Sequence, residues 1–139
     1  MRFWDSSAIT PLLVDEADSE VRERQLRDDS LVLVWYGTPA EIESALNRRK
    51  REGFMTAESA AVARERFAQL AETWIEVQAT HTVRERAMRL LRVHPLRAAD
   101  AFQLAAALVA CGERTRGFAF LTGDGRLREA AAAEGFSVH

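Results

Sequence analysis

The chain has 139 residues, 47% hydrophobic and 29% charged, the size and balance of a single globular domain with its own core, spanning residues 1–139. No apolar run approaches the ~18 residues of a membrane span, and Asp5 and Ser6 interrupt any signal-like stretch behind Met1, so a cytoplasmic protein without membrane contact is expected. The net charge of -2 means that nucleic-acid binding would need a local basic surface, while one cysteine, Cys111, leaves neither a disulfide nor a Cys-based zinc centre and the three histidines lack the i,i+4 spacing of a helical metal pair.

Arg2-Phe3-Trp4 reads as a short first strand ending at Asp5. Residues from Ala8 to Asp28 read as one or two helices, with Pro11 near the first start and Arg22, Arg24 and Arg27 on a solvated surface. The run Leu31-Val32-Leu33-Val34-Trp35 is continuous and apolar, as in a strand buried on both faces. Thr38 to Arg51 is a helix with Ile42, Ala45 and Leu46 on one stripe, stopping at Gly53. A further helix covers Thr56 to Thr73, and Trp74 to Val77 is a third strand.

Thr82, with Glu85 three residues on, predicts a capped helix that His94-Pro95 ends. Arg97 to Gly112 is an Ala/Leu-rich helix whose segment Ala105–Ala110 suits a core or a dimer face equally. Phe118 to Leu121 is a fourth strand, Arg126 to Glu134 a helix, and Phe136 to Val138 a fifth, edge strand. Strands separated by helices imply parallel pairing and a three-layer α/β/α domain with a short, mostly parallel sheet. Ligands of such sheets bind beyond the carboxyl ends of the strands.

Four carboxylates belong near that edge. Asp5 ends the first strand, Asp124 follows the fourth, Glu41 opens the helix after the second, and Asp100 sits on the face that Leu96 and Leu104 share. Each has a plain structural alternative. Asp5 and Asp124 can cap helices. Glu41 completes a capping box, Thr38-Pro39-Ala40-Glu41. Arg97 can pair with Asp100. Taken together, clustered acids repel one another, and a divalent cation relieves that best. Mg2+ or Mn2+ suits all-oxygen ligands and can clamp a phosphodiester for hydrolysis.

Four segments in order carry a resemblance: Phe3-Trp4-Asp5-Ser6-Ser7-Ala8, Thr38-Pro39-Ala40-Glu41 with Ser44-Ala45-Leu46, Leu96-Arg97-Ala98-Ala99-Asp100-Ala101 with Gln103-Leu104, and Phe120-Leu121-Thr122-Gly123-Asp124 with Arg126-Leu127. They span nearly the whole chain and resemble the PIN-domain family, more closely its VapC-type toxin ribonucleases. The resemblance implies Asp5, Glu41, Asp100 and Asp124 as the catalytic and metal-binding acids. Asp5 and Asp100 are the primary ligands it implies, with Ser6, Thr122 and Arg97 in support. It further implies a Mg2+- or Mn2+-dependent endoribonuclease, an RNA substrate, a cognate antitoxin and a homodimer. The alternatives are a PIN nuclease of RNA processing and an inactive RNA-binding module. Gly123 and Gly125 depart from the bulkier residues that often flank the last acid and loosen its loop.

Glu43 lies two residues, about 200° of helix rotation, from Glu41 and cannot share its face. The basic run Arg48-Arg49-Lys50-Arg51 reads either as a solvated helix end or as an RNA contact. Trp35 and Tyr36 read as core or as base-stacking groups. A phospho-receiver domain also has acidic strand ends. It needs a paired acidic motif after the first strand and a late lysine, whereas Ser6-Ser7 follow Asp5 and the only lysine, Lys50, lies in a helix.

Overall fold

β1 (Arg2–Trp4) lies at the centre of a five-stranded sheet in the computed structural model, which describes residues 1–139. β2 (Val32–Trp35) and β3 (Ile75–Val77) extend the sheet on one side, β4 (Ala119–Leu121) and β5 (Ser137–Val138) on the other. The order is β3-β2-β1-β4-β5 and every pairing is parallel. The chain therefore builds outward from β1, then crosses to its opposite flank. The switch point falls between β1 and β4, where α/β sheets open their binding crevices. A receiver domain is excluded here, because its sheet runs 2-1-3-4-5.

Side-chain alternation divides the core. Trp4, Val32, Val34 and Leu121 point to one face and pack on α1 (Ser6–Leu13), α3 (Thr38–Arg51) and α4 (Ala57–Ala71). Phe3, Leu33, Trp35 and Phe120 point to the other, beneath α5 (His81–Val93), α6 (Ala98–Ala110) and α7 (Gly125–Ala133). Phe3 and Phe120 stack at 5.2 Å between ring centres. The result is the expected three-layer sandwich.

The region from Ala8 to Asp28 holds two helices. Asp5 caps α1, so this helix starts at Ser6, and it carries Pro11 in its interior. The second is α2 (Ser19–Asp28), and there the solvated reading fails for one arginine. Arg22 is buried, donating through Nη2 to the Thr122 carbonyl at 3.0 Å and through Nη1 to the side chain of Gln25 at 3.0 Å. Its neighbours Arg24 and Arg27 are exposed. The cap of α5 is Thr80 and not Thr82. The Thr80 hydroxyl accepts from the Val83 amide, which leaves Thr82 inside the helix.

In α6, Ala105, Ala106, Ala107 and Leu108 are all buried within the chain itself, so most of this run is core. Small side chains let α6 sit close to both α5 and the sheet. Ala105→Leu has no room and is expected to cost about 1–3 kcal/mol. Urea unfolding followed by tryptophan fluorescence measures this, and an unchanged midpoint would show a looser packing than the structure has.

A candidate acidic site at the carboxyl edge of the sheet

Asp5 leaves β1 at the switch point and is 3% exposed. One carboxylate oxygen, Oδ2, takes every strong donor. These are the Ser7 amide at 3.2 Å, the Ser7 hydroxyl and the Thr122 hydroxyl at 3.0 Å. The same two hydroxyls accept from the Gly123 and Asp124 amides, which fixes their protons toward Asp5. Asp5 Oδ1 has only Ser6 Oγ, at 3.5 Å, and that hydroxyl donates to Glu41 instead. Burial raises the Asp5 pKa and outweighs the hydrogen bonds that lower it, and the Asp100 charge pushes the same way.

Glu41 stands in the first turn of α3, yet the capping box does not form. The N-cap is Gly37, and the Thr38 side chain turns inward to accept from Gln103 Nε2 at 3.1 Å. Gly37 has no spare room, since a Cβ there would stand 2.5 Å from Trp35 Nε1. Free of capping, Glu41 Oε2 accepts from Ser6 Oγ at 2.7 Å and from Gln103 Nε2 at 3.1 Å. Burial raises its pKa, opposed by these two bonds and helped by Asp5 and Asp100. Glu43 lies outside this group, paired with Arg64 at 2.7 Å and with Asn47.

Asp100 is half-buried at the start of α6, and Arg97 is exposed at the N-cap of that helix. The two act on each other electrostatically without closing an ion pair. Burial and then the Asp124 charge raise the Asp100 pKa, and Arg97 and Arg126 offset part of the rise. Asp124 is exposed and caps α7, its Oδ1 accepting from the Leu127 amide at 2.8 Å.

The four acids thus share one edge and feel one another's charge. No three of them converge closely enough to hold an ion by themselves, a looser cluster than the sequence implies. The reason is local, because Asp124 is turned to its cap and Glu41 is tied to Ser6 and Gln103. The donors are all oxygen. Asp5 Oδ1 lacks a strong donor, and Asp124 Oδ2 accepts no hydrogen bond, which fits a hard cation that keeps several waters.

Sequence reasoning overlooked four contributors. Ser7 holds Asp5 more firmly than Ser6 does. Gln103 is fully buried and joins α6 to Thr38 and Glu41. Arg22 and Arg128 both donate to the Thr122 carbonyl, which anchors the strand end behind Asp5. A hydroxyl two residues past a helix-capping aspartate was a readable signal for Ser7, and a glutamine inside an otherwise apolar helix was one for Gln103. Of the basic run, Arg48 and Arg49 line the cleft beside the acids, and Lys50 and Arg51 lie outside it, exposed. Trp35 is 8% exposed and stacks on Phe102 at 5.4 Å, as core, with Tyr36 exposed beside it.

A parallel α/β domain with acids gathered at its switch point is the class that fold and site define. The sequence matches the family model described as PIN domain over residues 2–133, and the chain belongs to that family, whose members are generally nucleases. No curated protein matches it at a significant level. Among solved structures it is similar to PAE2754 from Pyrobaculum aerophilum, with TM-score 0.69 and 18% identity over 99% of this chain and 87% of that one. It is also similar to VapC20 of Mycobacterium tuberculosis, described as a sarcin-ricin loop cleaving toxin. There the TM-score is 0.69 and the identity 21%, over 99% of this chain and 97% of that one. At these identities the likeness is one of fold.

The raised Asp100 pKa has a definite sign for stability. A carboxyl that binds its proton more tightly when folded gives a contribution that is intact below the ordinary carboxylate range and lost as pH rises through its folded value. In metal-free buffer, the Tm of the wild type minus that of Asp100→Asn is therefore expected to fall as pH rises above the ordinary carboxylate range. A difference that stays flat or grows with pH would show that burial and the Asp124 charge do not raise the Asp100 pKa.

Proposed function

We propose that the chain is a divalent-metal-dependent endoribonuclease acting as the toxin of a toxin–antitoxin pair. The observation that carries this reading is the Asp5 carboxylate, buried and gripped on Oδ2, with only the long Ser6 contact on Oδ1, and close enough to Glu41 and Asp100 for their charges to act on one another. Burying a charge is costly unless it is compensated, and the cap that Asp5 supplies to α1 accounts for one of its oxygens only. Membership of the PIN domain family and the fold likeness to VapC20, a sarcin-ricin loop cleaving toxin, support the same reading.

Asp5 and Asp100 would hold Mg2+ or Mn2+, with Glu41 and Asp124 reaching it directly or through water. Such an ion, when bound by these acids, would supply activation of a water and neutralisation of charge on the scissile phosphate. The chain's own residues supply the rest. Ser7 and Thr122 fix Asp5, and Gln103 and Ser6 fix Glu41 Oε2, leaving Oε1 without a hydrogen bond and ready to orient a water and take its proton. Arg97 and Arg126 stand near enough to Asp100 to offset part of the rise in its pKa, which favours the ionised form that a metal needs. The cognate antitoxin would cover this cleft, and the active form would be a homodimer. No helix of the chain is long and apolar enough to cross a membrane.

Asp100→Asn is expected to abolish RNA cleavage and growth arrest while leaving the fold intact. Glu41→Gln keeps an acceptor for Ser6 and Gln103, so its Tm should barely move while turnover falls by about 10²-fold or more. Full cleavage by either variant would remove that acid from the mechanism.

Metal should also stabilise the folded chain. At about 100 times its dissociation constant, Mg2+ adds about 2.7 kcal/mol, less at acid pH where protons compete for the same oxygens. Differential scanning calorimetry of wild type against an Asp5→Asn, Asp100→Asn double variant measures this, and most of the metal-induced shift should vanish in the variant. An equal shift in both proteins would place the metal elsewhere.

A further inference from the structure

The cleft of about 630 Å3 beside Asp5 runs away from the acids along α3. Glu41, Ser44, Ala45 and Arg48 all line it. Their i, i+3, i+4, i+7 spacing puts them on one helix stripe that leads from acid to base. The stripe rises about 10 Å between its ends. A strand whose scissile phosphate lies at the acids would therefore set another phosphate, about two or three nucleotides away, beside Arg48.

Arg49 faces the same cleft and is the less usual of the two. Its side chain is 26% exposed, and Nη2 is paired with Glu16. Glu16 belongs to the turn between α1 and α2 and also lines the cleft. Arg49 Nη1 is buried and has no acceptor at all. A guanidinium presents five donors in a fork that matches a carboxylate or a phosphate. Glu16 satisfies one side of that fork only, so the guanidinium holds its carboxylate through one nitrogen and is not closed into a two-pronged pair. Lys50 and Arg51, exposed and outside the cleft, have no comparable setting.

We propose that Arg48 and Arg49 form a phosphate subsite for the RNA strand, and that Glu16 is its resident anion. In the free protein the Glu16 carboxylate pairs with Arg49, and on binding it gives way to a backbone phosphate. The proposal rests on reading the chain as a ribonuclease, and it adds which two of four basic residues engage the strand and which acid competes with it.

The test is the salt dependence of binding. A fluorescein-labelled ten-nucleotide single-stranded RNA is titrated with protein in EDTA, followed by anisotropy at a series of NaCl concentrations. Arg48→Ala with Arg49→Ala is expected to flatten the plot of log K against log salt by about 1.4, the loss of two phosphate contacts to a single strand. Lys50→Ala with Arg51→Ala leaves the slope unchanged, and Arg49→Lys, which keeps the charge, retains it. Glu16→Gln tightens binding by about twofold to fivefold, the worth of a partly exposed ion pair, and has no such effect when Arg49 is alanine. An equal flattening by the Lys50/Arg51 variant, or weaker binding by Glu16→Gln, overturns the subsite. Cleavage by the wild-type protein in Mg2+ is scored from the same preparations. Cleavage together with an unaltered slope in the Arg48/Arg49 variant overturns the subsite alone, while neither cleavage nor binding by wild type overturns both readings.

Discussion

The burial of one carboxylate, Asp5, at the end of the central strand governs the rest of the site. Its side chain is almost wholly buried there. Three donors are spent on a single oxygen to keep the charge tolerable, and burial still raises its pKa. Those donors come from both sides of the switch point, Ser7 following β1 and Thr122 following β4. Holding Asp5 therefore also fixes the two strand ends against each other. Arg22 and Arg128 reinforce this from behind by donating to the Thr122 carbonyl.

Glu41 is managed differently. It comes from a helix end, where an acid ordinarily serves the exposed amides of the first turn. Here the buried Thr38 hydroxyl is already engaged by Gln103, and Glu41 is free to turn toward Ser6. A single glutamine thus ties α6 to α3 across the carboxyl edge, and it does so with its own Oε1 left buried and without a partner. An unmet acceptor in the interior is costly, and the cost falls beside the acids rather than in the apolar layers.

The alternation of strands and helices made the parallel three-layer architecture legible, because the apolar runs around Leu33 and Phe120 and the periodic stripe of α3 admit little else. The acids were legible as residue types at strand ends and helix starts. Less legible was how each side chain is held. Thr38 and Glu41 spell a capping box, yet tertiary contacts with Gln103 and Ser6 redirect both. Arg22 looked solvated among its charged neighbours, because a local pattern cannot reveal that a carbonyl 100 residues away needs a donor. Four consecutive basic residues looked equivalent until the rotation of α3 divided them between cleft and solvent.

The Asp5–Thr122 hydrogen bond joins residues 117 positions apart. β1 is made first and pairs early with β2, but its other neighbour, β4, comes only after four further helices have been synthesised. Contacts of such separation close late and slowly. On a ribosome, then, the chain carries Asp5 and Glu41 for most of its synthesis, and Asp100 for the stretch that follows it, with no β4 to seat them. The nascent polypeptide holds its acids on an open half-sheet, and the pocket acquires its shape only as the last fifth of the sequence emerges.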